Sequence, residues 1–209
     1  MRLPRVYPIL DTASLDRIEL PWIEAAEALI EGGAGILQFR HKKFWSREVV
    51  ETAERIGELC RLAGVPFVIN DRADYAAMLS AALHIGQDDL NPTDARAVIG
   101  PGAIVGYSTH NSQQMASAQS EPVDYLAFGP VFGTLSKERP DATVGIAALQ
   151  EVRKLTQLPL VAIGGINLEN ALSCWAAGAD SVAIIAGLLS PPCTRLSLRG
   201  RIEEWLRIG

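Results

Sequence analysis

The sequence predicts an α/β fold, a single (β/α)₈ TIM barrel in which residues 1–209 form one catalytic domain. Eight short apolar runs alternate with helix-length segments, as in repeated strand–helix units around a parallel sheet. Hydrophobic residues make up 48% of the chain and aromatic residues only 6%, which suits strands that are buried on both faces. The length of 209 residues is shorter than the ~250 residues typical of such barrels but lies within their range.

The predicted strands cover residues 6–10, 35–40, 66–70, 83–85, 103–107, 125–128, 160–163 and 181–185. Apolar residues at helical spacing follow the second strand, where Ser46 can cap a helix and Gly64 can end it. A last amphipathic helix is predicted around residues 198–206. An open, doubly wound sheet is the alternative. It normally carries a glycine-rich phosphate turn after its first strand, where this chain has Asp11-Thr12-Ala13-Ser14.

Charge and cysteine content narrow the class of protein. The net charge of −5 provides no overall attraction for nucleic acid or an anionic membrane, and we expect neither as a partner. Three widely spaced cysteines fit reduced, buried thiols. The N-terminus has no apolar segment typical of a signal peptide, and no apolar run reaches the ~18 residues of a membrane span. We therefore expect a cytoplasmic protein.

Polar side chains cluster at the carboxyl end of the second predicted strand, Gln38-Phe39-Arg40-His41-Lys42. Barrels of this type have their active sites at the carboxyl ends of the strands. Strand alternation places Gln38, Arg40 and Lys42 on one side, with Phe39 and His41 opposite. If the first side faces the barrel axis, two cations and an amide project into the mouth. Otherwise, these residues form an ordinary basic strand end in solvent.

Carboxylates follow the third and fourth predicted strands. Asp71 comes directly after Asn70, and Asp88 and Asp89 lie just beyond Ile85. Asp71 could simply cap the next helix, but capping does not explain Asp88 and Asp89 after the fourth strand. Mg²⁺ takes one or two protein carboxylates and completes its shell with water and phosphate oxygens. The sequence thus predicts a Mg²⁺ site here, with Asn70 as a hydrogen-bonding partner of the substrate.

The later strand ends supply further groups that can bind an anion. Ser108 lies after the fifth predicted strand, and hydroxyls and a lysine follow the sixth in a loop long enough to serve as a lid. Gly164-Gly165 follow the seventh strand and Ala186-Gly187 the eighth, which is the usual phosphate site of this fold. Each of these small-residue turns alone is weak evidence, whereas the pattern over seven strands predicts a site for phosphate groups.

Six segments resemble thiamine-phosphate synthases in order and spacing: Leu37-Gln38-Phe39-Arg40-His41-Lys42, Ile69-Asn70-Asp71-Arg72, His84-Ile85-Gly86-Gln87-Asp88-Asp89-Leu90, Gly106-Tyr107-Ser108-Thr109-His110, Gly129-Pro130-Val131-Phe132-Gly133-Thr134-Leu135-Ser136-Lys137 and Ala162-Ile163-Gly164-Gly165-Ile166. The resemblance extends from Tyr7 to about Leu188. Members of the family join 4-amino-2-methyl-5-hydroxymethylpyrimidine diphosphate to a thiazole phosphate and release pyrophosphate. The resemblance therefore implies a transferase of thiamine biosynthesis with two small-molecule substrates, and the family alone suggests a homodimer.

The resemblance also implies roles for individual residues. Mg²⁺ would be bound on the pyrophosphate by Asp71 and Asp89. The catalytic groups would be Arg40, Lys42, Ser108 and Lys137. The substrate-binding residues would be Gln38, Phe39, His41, Asn70, Thr134, Leu135, Ser136, Gly165, Ile185 and Ala186.

The chain departs from the family pattern at several positions. Ala81-Ala82 stand where the family usually has Asp-Gly, Gly133 where it has Pro, and Ser136 where it has Thr. Ala186 replaces a Ser and removes one hydroxyl from the expected thiazole-phosphate site. These differences could weaken thiazole-phosphate binding but leave the expected metal and pyrophosphate residues in place.

Three alternative functions are considered. A related thiazole tautomerase lacks the metal carboxylates and uses a His in the sixth-strand loop, where this chain has Pro130. A sugar-phosphate isomerase or epimerase typically places a carboxylate or Cys base at the axis, where this chain offers basic and amide groups. A non-catalytic homologue that only binds phosphate ligands stays open on the sequence alone.

Overall fold

The computed structural model describes residues 3–133 and 142–209, in which parallel strands close into a barrel. Each strand pairs with its neighbours in chain order, and the last strand pairs with the first. The strands are β1 (Val6–Asp11), β2 (Leu37–Arg40), β3 (Phe67–Asn70), β4 (Ala82–Ile85), β5 (Val105–Thr109), β6 (Tyr125–Phe128), β7 (Leu160–Ile163) and β8 (Ser181–Ile184). The predicted barrel is thus confirmed, and each strand bound lies within two residues of its prediction.

Helices follow the strands and form the outer layer. They are α1 (Thr12–Asp16), α2 (Trp22–Glu31), α3 (Arg47–Ala63), α4 (Ala73–Met78), α5 (Pro92–Ile99), α6 (Ser112–Ser117), α7 (Gly145–Arg153), α8 (Ala171–Ala176) and α9 (Arg195–Ile208). In the described ranges, no helix is long and apolar enough to cross a membrane.

Helix α3 shows how local sequence sets the helix bounds. Ser46 occupies the N-cap, and its side chain accepts a hydrogen bond from the Val49 backbone N–H. Gly64 ends the helix in the left-handed region with a φ of 69°, which glycine adopts without steric cost. Both roles agree with the prediction. The face that carries Ala53 and Ile56 is fully buried against the barrel.

Two apolar layers result from the alternation of side chains along the strands. The outer layer lies between strands and helices and contains most of the buried residues. The inner layer fills the barrel itself and consists of Leu3, Tyr7, Ile9, Ile36, Val68, Tyr125, Ala127, Val161 and Ala183. Both tyrosines are buried, so each hydroxyl requires a hydrogen-bond partner inside the barrel.

Helix α9 packs against α2 after the last strand and extends beyond the predicted range at both ends. It begins with a capping box formed by Thr194 and Ser197. Trp205 is completely buried, and its indole N–H donates to the Gly187 carbonyl at 3.3 Å. This helix therefore also contacts the turn that follows β8.

The cysteines are all free thiols. Cys60 on α3 and Cys174 on α8 are buried, and burial raises their pKa values to about 12 and about 11. Cys193, in the segment before α9, is only partly buried. The two buried thiols therefore serve as small apolar core groups.

Candidate active site

Strand β2 directs its polar side chains toward the barrel axis. Gln38 is 2% exposed and donates to the Tyr7 hydroxyl in the barrel interior at 3.0 Å. The Arg40 guanidinium forms an ion pair with Asp11 at the end of β1. Lys42, beyond the strand, forms an ion pair with Asp71 after β3. The first of the two orientations considered from the sequence is therefore the observed one.

Phe39 and His41 lie on the opposite side of β2, in the layer between strands and helices. Phe39 is fully buried, with ring-centroid distances of 5.9 Å to Trp22 and 5.7 Å to Trp45. The His41 Nδ1 atom is 2.9 Å from the Thr12 hydroxyl. Their side chains thus face away from the mouth, and the substrate contacts predicted for these two residues would have to involve backbone atoms.

Asp11 is a residue of the mouth that the sequence analysis did not select. It is 2% exposed, and its Oδ1 atom accepts from the Ser14 backbone N–H at 2.9 Å and the Ser14 hydroxyl at 2.7 Å. Its Oδ2 atom pairs with Arg40. Both carboxylate oxygens are therefore engaged, one in capping α1 and one in orienting Arg40. Its signal in the sequence is that of the other site residues, a polar side chain at the carboxyl end of a strand.

Asp71 occupies an unusual backbone turn. Its φ is 65°, and the Arg72 backbone N–H donates to the Asn70 carbonyl at 2.9 Å across it. These features are those of a γ-turn, a strained conformation that costs about 1–3 kcal/mol and occurs mainly at functional sites. The Asp71 N–H donates to the His84 carbonyl at 2.8 Å, which attaches the turn to β4. The N-cap of α4 is Arg72, so Asp71 does not have the capping role considered above.

The Asp71 carboxyl is close to a second carboxyl and to a cation. The pKa of Asp71 is raised to about 6, mainly by burial and then by the hydrogen bond with Asp89, while Lys42 acts in the opposite direction. Asp89 is itself held by the Gly86 N–H, which donates to Oδ2 at 2.7 Å. Asp88 is exposed. Of the two acidic residues after β4, Asp89 is thus the one that faces Asp71.

This pair of carboxylates fits a hard divalent cation. Two ionised carboxylates in contact repel each other, and a cation between them would remove that repulsion. Among the described residues, no group of three or more His, Cys, Asp or Glu side chains could hold a metal. Mg²⁺ commonly binds one or two protein carboxylates and takes its other ligands from water and phosphate. The donor set is therefore suited to Mg²⁺ bound together with a phosphorylated substrate.

Asn70 and Ser108 lie on the strands beside this pair. Asn70 is 6% exposed, and its Nδ2 atom is buried without a hydrogen-bond partner in the described part of the chain. A buried donor without a partner destabilises the protein by about 1–3 kcal/mol. An acceptor atom of a bound substrate would remove this penalty. The Ser108 hydroxyl is half-buried at the mouth, 2.9 Å from the His84 Nε2 atom. The substrate-facing roles of both residues stay predictions.

The loops after β6 and β7 come together on the far side of the mouth. The Val131 and Phe132 N–H groups donate to the Ile163 and Gly164 carbonyls at 2.8 and 3.0 Å. Gly165 has a φ of 63°, and a Cβ atom there would lie 2.3 Å from the Gly133 carbonyl oxygen. Only glycine satisfies both constraints at this position.

The turn after β8 begins with Ile185, whose side chain is partly buried against the inner layer. Ala186 is exposed and starts a 3₁₀ turn, Ala186–Leu188. The site residues predicted in the loop after β6, Thr134, Leu135, Ser136 and Lys137, lie outside the described residues.

Comparisons with known proteins indicate the family of the chain. Residues 6–188 match the family model described as thiamine monophosphate synthase. The chain is 44% identical to a thiamine-phosphate synthase of Koribacter versatilis over 100% of this chain and 97% of that protein. It is 40% identical to one of Chlorobium phaeovibrioides, over 89% of this chain and 90% of that protein.

A solved structure supports the same relationship. The thiamine phosphate pyrophosphorylase from Pyrococcus furiosus superposes with a TM-score of 0.80 at 30% identity, and the match covers 96% of each chain. The barrel, the carboxyl-end constellation and these relatives lead to one assignment. The chain belongs to the thiamine monophosphate synthase family, a family of transferases.

Proposed function

We propose that this protein is a thiamine-phosphate synthase, which joins a pyrimidine diphosphate to a thiazole phosphate and releases pyrophosphate. The observation that carries the proposal is the contact of Lys42, Asp71 and Asp89 at the ends of β2, β3 and β4. This arrangement places two carboxylates that can bind a metal ion beside the Lys42 ammonium group. Family membership supplies the substrates, since the curated relatives carry that name.

Asp71 and Asp89 would hold Mg²⁺ in this proposal. When bound, the ion neutralises negative charge on a pyrophosphate group. The strained turn at Asp71 fixes its carboxylate relative to β4, so the two ligands are positioned before the metal binds. Asp88, the exposed neighbour, has no part in the site.

Arg40 on β2 and Lys42 just beyond it stabilise the departing pyrophosphate. The carbon–oxygen bond to pyrophosphate breaks with its electron pair on oxygen, and the thiazole nitrogen then attacks the pyrimidinylmethyl carbon. Negative charge therefore develops on the pyrophosphate, where fixed cations are most effective because they need no reorganisation. Arg40 and Lys42 supply such charge, with Ser108 and the predicted Lys137 as further donors. The pyrimidine's own amino group stabilises the cation, so the protein needs no covalent nucleophile.

The thiazole phosphate would bind on the opposite side of the mouth. Gly165 brings its backbone close to the loop after β6. The family resemblance implies that the Ile185–Ala186 turn contributes to the same subsite. Thr134, Leu135 and Ser136 are predicted to complete this subsite. Ala186 lacks the hydroxyl that the family usually has, so this subsite depends more on backbone N–H groups.

The direct test is to mix purified protein with both phosphorylated substrates and Mg²⁺ and to measure thiamine phosphate by chromatography. Product should form with Mg²⁺ and disappear with excess chelator. Failure to form thiamine phosphate, with folded protein and both substrates present, would overturn the proposed function.

A matched pair of variants tests the metal ligands. Asp71→Asn should lower kcat by at least about a hundredfold, because a charged ligand of the ion that neutralises the pyrophosphate is lost. Asp88→Asn removes an equal charge from an exposed position and should keep wild-type kinetics. Equal kinetics of Asp71→Asn and wild type would remove Asp71 from the proposed site.

We also infer a cytoplasmic location, because three free cysteines suit a reducing compartment. The homodimer is likewise a proposal that rests on family resemblance, and light scattering of the purified protein would test it.

A further inference from the structure

A continuous chain of hydrogen bonds crosses the inner layer of the barrel. Gln38 Nε2 donates to the Tyr7 hydroxyl at 3.0 Å, and the Tyr7 and Tyr125 hydroxyls are 2.8 Å apart. The Tyr125 hydroxyl is 3.0 Å from His84 Nδ1, and His84 Nε2 is 2.9 Å from the Ser108 hydroxyl. The chain therefore connects two predicted substrate-facing residues on β2 and β5 through three residues that the sequence analysis did not select.

The barrel interior is built to hold this chain. Tyr7 is 1% exposed, Tyr125 is 0% exposed and His84 is 7% exposed, so their polar groups need hydrogen-bond partners inside the barrel, and the neighbours in the chain supply them. Gly106 provides the space for the Tyr125 ring, because a Cβ atom at this position would lie 2.0 Å from the ring carbon Cζ.

The donor at one end determines the direction of every hydrogen bond. The Gln38 amide nitrogen can only donate, so the Tyr7 oxygen accepts and its single proton goes to Tyr125. Tyr125 in turn gives its proton to His84 Nδ1. An imidazole that accepts at Nδ1 carries its proton on Nε2 and donates it to the Ser108 oxygen. A doubly protonated His84 would place two protons between His84 and Tyr125, which this direction does not allow.

We propose that Tyr7, Tyr125 and His84 are positioning residues that fix the polarity of the substrate site. They hold His84 as the neutral Nε2–H tautomer, which occupies a lone pair of Ser108 and leaves the Ser108 proton to be donated into the mouth. At the other end, the Gln38 amide keeps its carbonyl oxygen for the substrate. The site thus presents a donor to an anion at Ser108 and an acceptor to an N–H group at Gln38.

This inference rests on the proposed function for its substrate. A pyrimidine diphosphate has both features, because its diphosphate accepts hydrogen bonds and its amino group donates them. Burial raises the pKa of Tyr7 to about 12, so the hydroxyl protons that the chain needs are present throughout the working pH range.

The tautomer of His84 can be observed without any turnover. The chain has three histidines, so a ¹⁵N-histidine spectrum is simple, and the signals that disappear in His84→Asn identify this ring. We expect a neutral ring at about pH 7, protonated on Nε2. A ring protonated on Nδ1, or on both nitrogens, would overturn the proposal whether or not the protein is a synthase.

Tyr125→Phe breaks the chain at its centre and retains the ring. The proposal predicts a fall of about tenfold or more in kcat/KM for the pyrimidine diphosphate, because Ser108 can then donate to His84 instead of the anion. The KM for the thiazole phosphate should stay unchanged. The matched control is Tyr107→Phe, which removes a hydroxyl on the outer face of β5. This hydroxyl interacts with Gln87 and is not part of the chain of hydrogen bonds, so the variant should behave as wild type.

A double-mutant cycle distinguishes a positioning role from general damage. In a Ser108→Ala background, Tyr125→Phe should cause little further loss, since the group through which it acts is gone. Additive losses would overturn the proposal. If the wild type shows no turnover, binding of inorganic pyrophosphate provides the same comparison. It should weaken about tenfold in Tyr125→Phe and remain unchanged in Tyr107→Phe, and equal binding by both variants would contradict the inference.

Discussion

The charged residues in the described part of the mouth are held by specific neighbours. Asp11 holds Arg40, Asp71 holds Lys42, and the Gly86 N–H holds Asp89. Such fixed groups stabilise developing charge better than mobile ones, because they are already oriented when the reaction begins. The residues that orient these groups are therefore as open to test as those that touch the substrate.

Asp11→Asn should reduce activity through Arg40. Asparagine can still cap α1, but its side chain no longer provides the negative charge that holds the guanidinium. We expect kcat/KM to fall about tenfold or more in steady-state assays, with the helical circular dichroism unchanged. Ser14→Ala is the control, because it removes a hydrogen bond from the same carboxylate without breaking the ion pair. Wild-type kinetics in Asp11→Asn would contradict the positioning role.

The raised pKa of Asp71 predicts how Mg²⁺ binding depends on pH. The metal needs the carboxylate, and in the metal-free protein this group takes up a proton as pH falls through about 6. Mg²⁺ affinity, measured by calorimetry, should therefore be nearly constant above that pH and fall by up to about tenfold per pH unit below it.

The free energy of unfolding of the metal-free protein should depend on pH in the opposite direction. The folded carboxyl binds its proton more tightly than an unfolded one with a pKa of about 4, so the metal-free protein should lose stability as pH rises from about 4 to about 6. Asp71→Asn should remove this dependence, and an unchanged pH profile in that variant would contradict the assignment.

At the scale of elements, backbone contacts join the loops after β6 and β7. The loops after β6 and β7 form two backbone hydrogen bonds, and Gly165 lies against Gly133 where they meet. Their relative position is thus fixed by backbone atoms, which a side chain at residue 165 would displace.

Gly165→Ala should combine backbone strain with a steric clash. We expect a loss of about 2 kcal/mol or more in the free energy of unfolding, measured with urea. A higher KM for the thiazole phosphate is expected as well. Gly64→Ala is matched to it, because Gly64 also has a positive φ but its new methyl group would meet no atom within 4 Å. That variant should lose only about 1 kcal/mol and keep both KM values, and equal losses in the two variants would contradict the role of the clash.

The elements were largely predictable from the sequence, since buried parallel strands are continuous apolar runs. The fifth strand continues through Ser108 and Thr109, beyond its prediction, because the Thr109 hydroxyl is satisfied by the Ala127 carbonyl of the next strand. The alternation of side chains along β2 correctly predicted that Arg40 and Phe39 lie on opposite sides of the strand. The Tyr7–Tyr125 pair was not predictable, because it joins residues 118 positions apart that only barrel closure brings together.

At the scale of the whole molecule, a closing helix completes the outer layer. Trp205 on α9 is fully buried, while Leu196 on the same helix is 79% exposed. Trp205→Ala should lower the free energy of unfolding by about 3–5 kcal/mol, since a large cavity remains in a packed core. Leu196→Ala should change it by less than about 0.5 kcal/mol. Urea unfolding followed by circular dichroism measures both, and similar values would contradict the packing described for α9.

The unequal burial of the three thiols gives the native protein a single point for chemical labelling. A maleimide dye reacts with an accessible thiolate. Burial raises the pKa of all three thiols, but Cys60 and Cys174, with pKa values of about 12 and about 11, are also enclosed in the core. Cys193 is the partly buried thiol and should take up one dye per chain. Mass spectrometry before and after denaturation would count the labels. A probe at this position, in the segment before α9, could then report fluorescence changes without any engineered cysteine.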